Sequence, residues 1–382
     1  MHSFYSSRQP SGENVVVDAQ VASLREEGID VQLVAARTDE LETKTLYKPR
    51  TAMNVATGLG ASPLAQLKDF EPDIVHVHNL FPNWGTSWLE HWKGPLVATA
   101  HNFRPVCAAG TLFRDGKVCT LCPDTSVLAG IKHSCYRDSK IATAPLAIRS
   151  RKGVRGDRLL SRADRVILLS KRAESLYVGF GLDPERTSVI PNFVEDIGFT
   201  PDTPPGGAWV YIGRLTEEKG IANLVKHWPD DETLVVHGDG PLRAQIESEA
   251  LVRPNVHYVG QLGHAGVPGA LAAAKGLVFP SEWAEGLPLV YAEALASGRA
   301  VVAKAGNSAA DDVAVSGTGV VFDSWNDLGW ALSRASSELL QLGAGARKRY
   351  MSAYTRSTWV EATLAAYALA GDGAGGRRGW KT

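Results

Sequence analysis

Trp209-Val-Tyr-Ile-Gly-Arg-Leu-Thr-Glu-Glu-Lys-Gly220 is the stretch on which the fold turns. Four apolar residues ending at Gly213 read as a short buried strand, since β-branched and aromatic side chains suit a pleated surface. A polar loop follows, and a helical pattern opens near Gly220. The same unit recurs on both sides. Val31–Ala35, Asp73–Val77, Leu96–Ala100 and Val166–Leu169 read as buried strands before it. Thr233–His237, Val256–Val259, Gly276–Phe279 and Ala300–Ala303 read the same way after it. Helical stretches such as Asn14–Glu27 and Pro241–Ala250 lie between them. Alternation of this kind predicts an α/β fold, with parallel sheets covered by helices on both faces.

The chain has 382 residues, enough for two such domains. The Pro/Gly-rich run Glu195–Ala208 separates two α/β halves and is read as a linker. The expected organisation is a domain over 1–195 with a Cys-rich insertion at 102–139, then a domain over 196–352. A helix over 353–370 and a Gly-rich disordered tail over 371–382 follow. Forty Lys plus Arg balance 41 Asp plus Glu, which argues against a protein that coats nucleic acid. No apolar run reaches the ~18 residues of a membrane span, and the polar start lacks the apolar segment of a secretory signal. Four cysteines are too sparse for a disulfide scaffold. A cytoplasmic protein is the expectation.

In parallel sheets, ligands bind beyond the carboxyl ends of strands. Arg214 and Lys219 stand in such a place and suit a diphosphate: one gives a planar fork of donors, the other a mobile charge. The plainer reading is a solvated loop with Lys219 paired to Glu217 or Glu218. Phe279–Gly298 says more. Glu285 precedes a helix expected from about Pro288 to Ser297, and Glu293 lies about two helical turns after Glu285. The neighbours of Glu293 are apolar on nearly every side, which marks a buried helix. A carboxylate there needs a cation or strong hydrogen-bond partners, and a pair of sugar hydroxyls would serve. An ordinary exposed helical Glu is the alternative. Asp239, in Gly238-Asp239-Gly240-Pro241, is read as the cap of the next helix.

His101 follows the strand Leu96–Ala100, a second polar group at a strand end, and Gly12 opens the first helix where backbone N–H groups can meet an anion. One half-site per domain predicts a cleft between them. Cys107, Cys119, Cys122 and Cys135 lie within 29 residues. They suit a structural zinc, with reduced thiols or a redox pair as alternatives. Nine Lys or Arg lie between Arg149 and Arg172, either a solvated face or a surface for anionic lipid or an acidic acceptor.

Together these segments resemble the retaining GT-B glycosyltransferases of family 4 (glycosyl transferases group 1). Glu285 and Glu293 look like the family's Glu-x7-Glu motif, and Gly213-Arg214-Leu215 with Lys219-Gly220 resembles its diphosphate loop. Gly238-Asp239-Gly240-Pro241-Leu242, Val189-Ile190-Pro191-Asn192 and His101-Asn102 match further segments in order. The resemblance implies two Rossmann-like domains facing a cleft, and a last helix, Thr358–Leu369, that returns to the first domain. It implies a UDP- or GDP-sugar donor and a glycan, lipid-linked sugar or small-molecule acceptor, with no nucleic acid. A peripheral contact at the inner membrane face is the expectation attached to the basic run Arg149–Arg172. By carry-over, Arg214 and Lys219 neutralise the diphosphate, and Glu293 holds the ribose. Glu285 holds the transferred sugar with backbone N–H groups near Leu287, Pro288 and Leu289. His101 faces the sugar, and Gly12 approaches the phosphates or acceptor. No catalytic metal is expected. Two departures stand out: the first strand is almost absent, and Pro288 lacks an N–H where relatives often carry Gly. The missing strand supports an alternative, an inactive nucleotide-sugar-binding or assembly protein.

Overall fold

The computed structural model describes residues 1–8, 11–196 and 206–373. It comprises two compact units. The first contains Met1–Leu112, Cys119–Ile190 and the chain from Val360; the second contains Phe113–Val118 and Pro191–Trp359.

In the first unit, β1 (His2–Phe4) pairs in parallel with β2 (Ala35–Arg37), and β3 (Val75–Val77) pairs with β4 (Leu96–Ala100). A small antiparallel hairpin, β5 (Phe113–Arg114) with β6 (Lys117–Val118), comes next in the chain and is part of the second unit. Next, β7 (Arg165–Leu168) and β8 (Thr187–Val189) continue the parallel sheet beyond β4. The two parallel pieces meet where His2 bridges Asn79 and the Ser3 N–H donates to the Asn79 carbonyl at 2.8 Å. The order is therefore β2-β1-β3-β4-β7-β8, reversing direction between β1 and β3, where open α/β sheets place ligands.

The first strand, expected to be almost absent, is present and short. Three residues make it, and His2 and Ser3 are fully buried, with Phe4 beside them. Its brevity also moves β2. The strand expected at Val31–Ala35 forms at Ala35–Arg37 instead, because a three-residue partner offers a ladder only at His2–Ala35, Ser3–Ala36 and Phe4–Arg37. The helix Gly12–Glu26 follows, with Ser11 at its N-cap. It buries Val16, Val17, Gln20, Ser23 and Leu24, one stripe of a 3.6-residue period.

In the second unit, β9 (Ala208–Ile212), β10 (Thr233–His237), β11 (Val256–Gly260), β12 (Gly276–Phe279), β13 (Ala300–Lys304) and β14 (Gly319–Phe322) form one all-parallel sheet. Their order, β11-β10-β9-β12-β13-β14, is the doubly wound arrangement, with its reversal between β9 and β12. Trp209, Leu224, Leu234, Val236, Val278 and Val302 lie in its core. Each fully buried large apolar side chain there is worth about 1.5–3 kcal/mol. The helical region expected over Trp325–Tyr354 divides into Leu328–Ser337 and Leu339–Ala353. Asp312 ties the second of these to the helix Leu289–Ala296. Its carboxylate takes two donors from Arg349 and accepts from the Tyr291 and Tyr354 hydroxyls at 2.6 and 3.0 Å.

The last helix runs Arg356–Gly373, and from Val360 onward it belongs to the first unit, where Tyr367 Oη lies 2.8 Å from His76 Nδ1. Residues 371–373 of the expected disordered tail are thus helical. The remainder of that tail, and linker residues 197–205, lie outside the described residues.

Candidate active site

The loops that follow β9 and β12 leave the sheet on either side of its reversal. They dock on each other through backbone. The Glu282 N–H donates to the Glu218 carbonyl at 3.0 Å, and Gly220 packs against Pro280. Gly220 has φ +70°, and a Cβ there would sit 2.1 Å from the Pro280 carbonyl oxygen, so only glycine permits the approach. This close fit delivers Lys219 to Glu285. The two form an ion pair with side chains only 14% and 10% exposed. Ser281 Oγ donates to the other carboxylate oxygen at 3.1 Å, and Lys219 Nζ stands 5.6 Å from the centre of the Trp283 ring. The Lys219 partner is therefore Glu285, not the adjacent Glu217 or Glu218.

Arg214 is exposed and reaches Glu218 at 3.3 Å, while Thr216 Oγ1 holds the same carboxylate oxygen at 2.7 Å. The buried Tyr211 hydroxyl donates to the Arg214 carbonyl at 2.7 Å. Burial, then the charges of Glu285 and Glu218, hold its phenol far above the usual range, so it remains a neutral donor. Asp239 does not cap the next helix as expected. Its Oδ1 accepts from its neighbour Gly240 at 2.8 Å, and the helix begins only at Arg243. The β10 loop instead braces the β9 loop, with Leu215 donating to the Asp239 carbonyl at 2.9 Å.

Leu287 and Pro288 are buried, and Pro288 stands at the N-cap of the helix Leu289–Ala296. Being outside the helix proper, its missing N–H interrupts no helical hydrogen bond. Glu293 lies in that helix with its side chain 11% exposed. Burial pushes its carboxyl up to about 7. The imidazole of His264 lies 3.5 Å away but is 60% exposed, and water screens it. Glu293 is thus a carboxyl without a matched partner, in the helix that begins beside the Lys219–Glu285 pair.

The first unit holds a second polar cluster at the carboxyl ends of β1, β3 and β4. His101 follows β4, with Nε2 at 3.2 Å from His78 Nδ1. The His76 and His78 rings lie 4.2 Å apart, and His76 Nε2 meets Thr99 Oγ1 at 2.8 Å. Burial holds His101 down to about 3 and His2 down to about 4, so both are neutral imidazoles. Gly12 is the first residue of its helix, and Glu13 follows it. Burial pushes Glu13 up to about 8, against the pull of Arg104 and Asn79. Glu13 Oε1, His2 Nδ1, Asn79 Nδ2 and Arg104 Nε are buried without a hydrogen-bond partner. Sequence reasoning passed over Glu13, His2 and His78. The alternation Val75-His76-Val77-His78 was the available signal, since it sets two histidines on one strand face.

The four cysteines all fall in the first unit, and none is in a disulfide. Among the described residues no three His, Cys, Asp or Glu side chains are arranged to hold a metal ion as they stand. Much of the basic run is structural. Arg162 donates to the Trp92 and Gly94 carbonyls, Arg165 to those of Glu185 and Thr187, and Arg158 pairs with Glu90. Arg151, Lys152 and Arg155 are exposed. No described helix is long and apolar enough to cross a membrane.

The model of the family described as Glycosyltransferase Family 4 matches residues 10–196, and that of Glycosyl transferases group 1 matches residues 207–341. The chain is a family 4 glycosyltransferase of GT-B fold. This glycosyltransferase is 24% identical over 339 residues to a Bacillus subtilis protein described as a teichuronic acid biosynthesis glycosyltransferase, covering 77% of each chain. It is 28% identical over 330 residues to a D-inositol 3-phosphate glycosyltransferase of Xylanimonas cellulosilytica, covering 77% of this chain and 70% of that one. Among solved structures, a sucrose-phosphate synthase from Thermosynechococcus elongatus superimposes with a TM-score of 0.66 at 18% identity, covering 94% of this chain and 92% of that one. The Anabaena protein HepE, solved in complex with UDP-glucose, gives 0.60 at 14% identity over 96% of this chain and 98% of its own. These two likenesses concern the fold.

Proposed function

We propose that this glycosyltransferase moves a hexose-type sugar from a UDP- or GDP-sugar to an acceptor hydroxyl with retention of configuration. The single observation that carries the reading is the buried Lys219–Glu285 pair at the sheet reversal, beside the helix of the unmatched Glu293. A diphosphate is a stronger partner for an ammonium than one carboxylate, so its arrival draws Lys219 away from Glu285. The freed carboxylate, steadied by Ser281, then accepts hydrogen bonds from hydroxyls of the transferred sugar. Glu293 takes the ribose hydroxyls, and ionises as they donate to it. The first N–H groups of the helix at Leu289, next to Leu287 and Pro288, supply a partial positive end for the phosphates. Arg214 adds an outer charge.

As the glycosidic bond to phosphate breaks, negative charge grows on the leaving diphosphate, and Lys219 with the helix terminus stabilises it where it forms. The acceptor hydroxyl attacks the face that the diphosphate leaves and gives up its proton to a phosphate oxygen. No catalytic metal is part of this proposal. His101, as a neutral imidazole, is assigned a hydrogen bond to the transferred sugar, and Gly12 a backbone contact to phosphate or acceptor. An acceptor in a cell-envelope glycopolymer, carried as a glycan or lipid-linked sugar, accords with the printed name of the Bacillus relative. A small-molecule acceptor accords with that of the inositol phosphate relative. A cytoplasmic protein touching the inner membrane face through Arg151, Lys152 and Arg155 completes the reading.

A thermal-shift and turnover screen across UDP-, GDP- and ADP-sugars tests the proposal, since a bound donor raises apparent stability. One UDP- or GDP-sugar should stabilise the wild type and be consumed, and Lys219→Ala should lose both effects. A wild type indifferent to every nucleotide sugar contradicts it.

A further inference from the structure

The segment between β4 and β7 is poor in ordinary stabilisation. Before the helix Lys140–Ser150, its described elements are the two-residue strands β5 and β6 and the short helices Leu121–Asp124 and Leu128–Lys132. Leu112, Ser134, Arg137 and Asp138 all take left-handed backbone angles, φ 50–55°, which side chains other than glycine rarely adopt. Something must over-determine such a segment. The four cysteines are spread through it, and Cys122, Cys135 and the residue beside Cys107 all lie against Gly130. Cys122 Sγ lies 3.4 Å from the Cβ position of Gly130, and the Cβ of Ala108, next to Cys107, lies 3.7 Å from it. The Cys135 N–H donates to the Gly130 carbonyl at 3.1 Å. Cys119 enters from the hairpin, its N–H donating to the Leu112 carbonyl at 2.7 Å, three residues before Cys122. The Cys122 thiol lies within electrostatic reach of the thiols of Cys107, Cys135 and Cys119. Four half-buried thiols from four points of the chain thus gather in one region without forming a disulfide.

We propose that Cys107, Cys119, Cys122 and Cys135 form a structural zinc site that orders this segment. Protonated thiols have no electrostatic reason to converge, and as they stand no three are in a ligating arrangement. Zinc supplies the reason. Each thiol gives up its proton to solvent, four thiolates turn onto the cation at about 2.3 Å, and no sulfur is oxidised. A closed set of four sulfurs leaves no open position, so the metal is structural rather than catalytic.

The test is metal analysis of the full-length protein purified with reductant and without added metal. The expected result is about one zinc per chain. Cobalt(II) added after zinc removal should give the thiolate-to-metal charge-transfer band and the tetrahedral d–d bands of a four-sulfur site. The thiols should resist DTNB until zinc is stripped. Cys119→Ser and Cys122→Ser should each abolish stoichiometric zinc. Should they fail to fold, the wild-type zinc content and cobalt spectrum still decide the matter. A reduced wild type with no zinc and no cobalt spectrum, and with freely reactive thiols or two disulfides after oxidation, overturns the proposal.

Discussion

The two polar clusters stand in corresponding places, each at the reversal of a parallel sheet, yet they handle charge in opposite ways. In the second unit Lys219 rests on Glu285 and Arg214 on Glu218, so each cation has a carboxylate. In the first unit, Glu13, His2, Asn79 and Arg104 each keep a buried polar atom unsatisfied, and the imidazoles of His2 and His101 are held neutral. A preformed ion pair can exchange one partner for a diphosphate at little desolvation cost. A set of orphaned donors and acceptors in which Arg104 is the one cation and the imidazoles are neutral suits the hydroxyls of a polyhydroxyl compound. The difference shows that a Rossmann-like sheet supplies a location, while the side chains after its strands decide what charge the location accepts.

The largest effect that would break the comparison is at Lys219. Removing it should lower turnover of the preferred nucleotide sugar by ~10²–10³, the usual loss when a transition-state charge partner goes. The single change also strands Glu285 and should cost about 3–5 kcal/mol of stability. Lys219→Met with Glu285→Gln should restore the melting temperature but not turnover, and comparing kinetics with calorimetry separates the two. Glu293→Gln comes next. A ribose held by an amide rather than a carboxylate should weaken donor binding by about tenfold to a hundredfold, the worth of a charge-assisted hydrogen bond or two.

A smaller effect sharpens the comparison through pH. Glu293 and Glu13 both titrate higher in the native state than in the unfolded chain, where the ordinary value is 4.5. Their contribution to stability is complete below about 4.5. It is lost as pH rises, through about 7 for Glu293 and about 8 for Glu13. Melting temperature should therefore fall between pH 5 and pH 8. Glu293→Gln should flatten the lower part of that fall, and Glu13→Gln the part reaching pH 8. Unchanged pH profiles would show that neither carboxyl is buried as described. The smallest effect is at Arg214, whose exposed side chain is screened by water. Arg214→Ala should raise the donor KM only about two- to fivefold, with kcat nearly intact.

Much of this was legible in the residues. β-Branched runs bounded by glycine place β4, β9, β10 and β12 well, because buried parallel strands have little compositional freedom. Glu293 shows through because a carboxylate amid Leu, Val and Ala is costly unless it has work to do, and Glu285 through its place in the loop before the same helix. Other features were hidden. β1 and β8 are three residues long, too short for any periodicity, and β1 is a strand through the sheet it joins. Glu13 reads as an ordinary acidic residue in a first helical turn, where it complements the helix dipole. Only the packing of β1 and β3 against that turn buries it. The Lys219–Glu285 pair spans 66 positions and depends on Gly220 meeting Pro280, a tertiary fact that no local pattern announces.

The central claim is that Lys219 changes partners from Glu285 to the donor's diphosphate. Calorimetric titration with UDP or GDP, whichever stabilises the wild type, tests it most directly when repeated on Lys219→Met with Glu285→Gln. Affinity in the double variant should fall by at least about tenfold while its fold persists. Equal affinity in the two proteins would contradict the account.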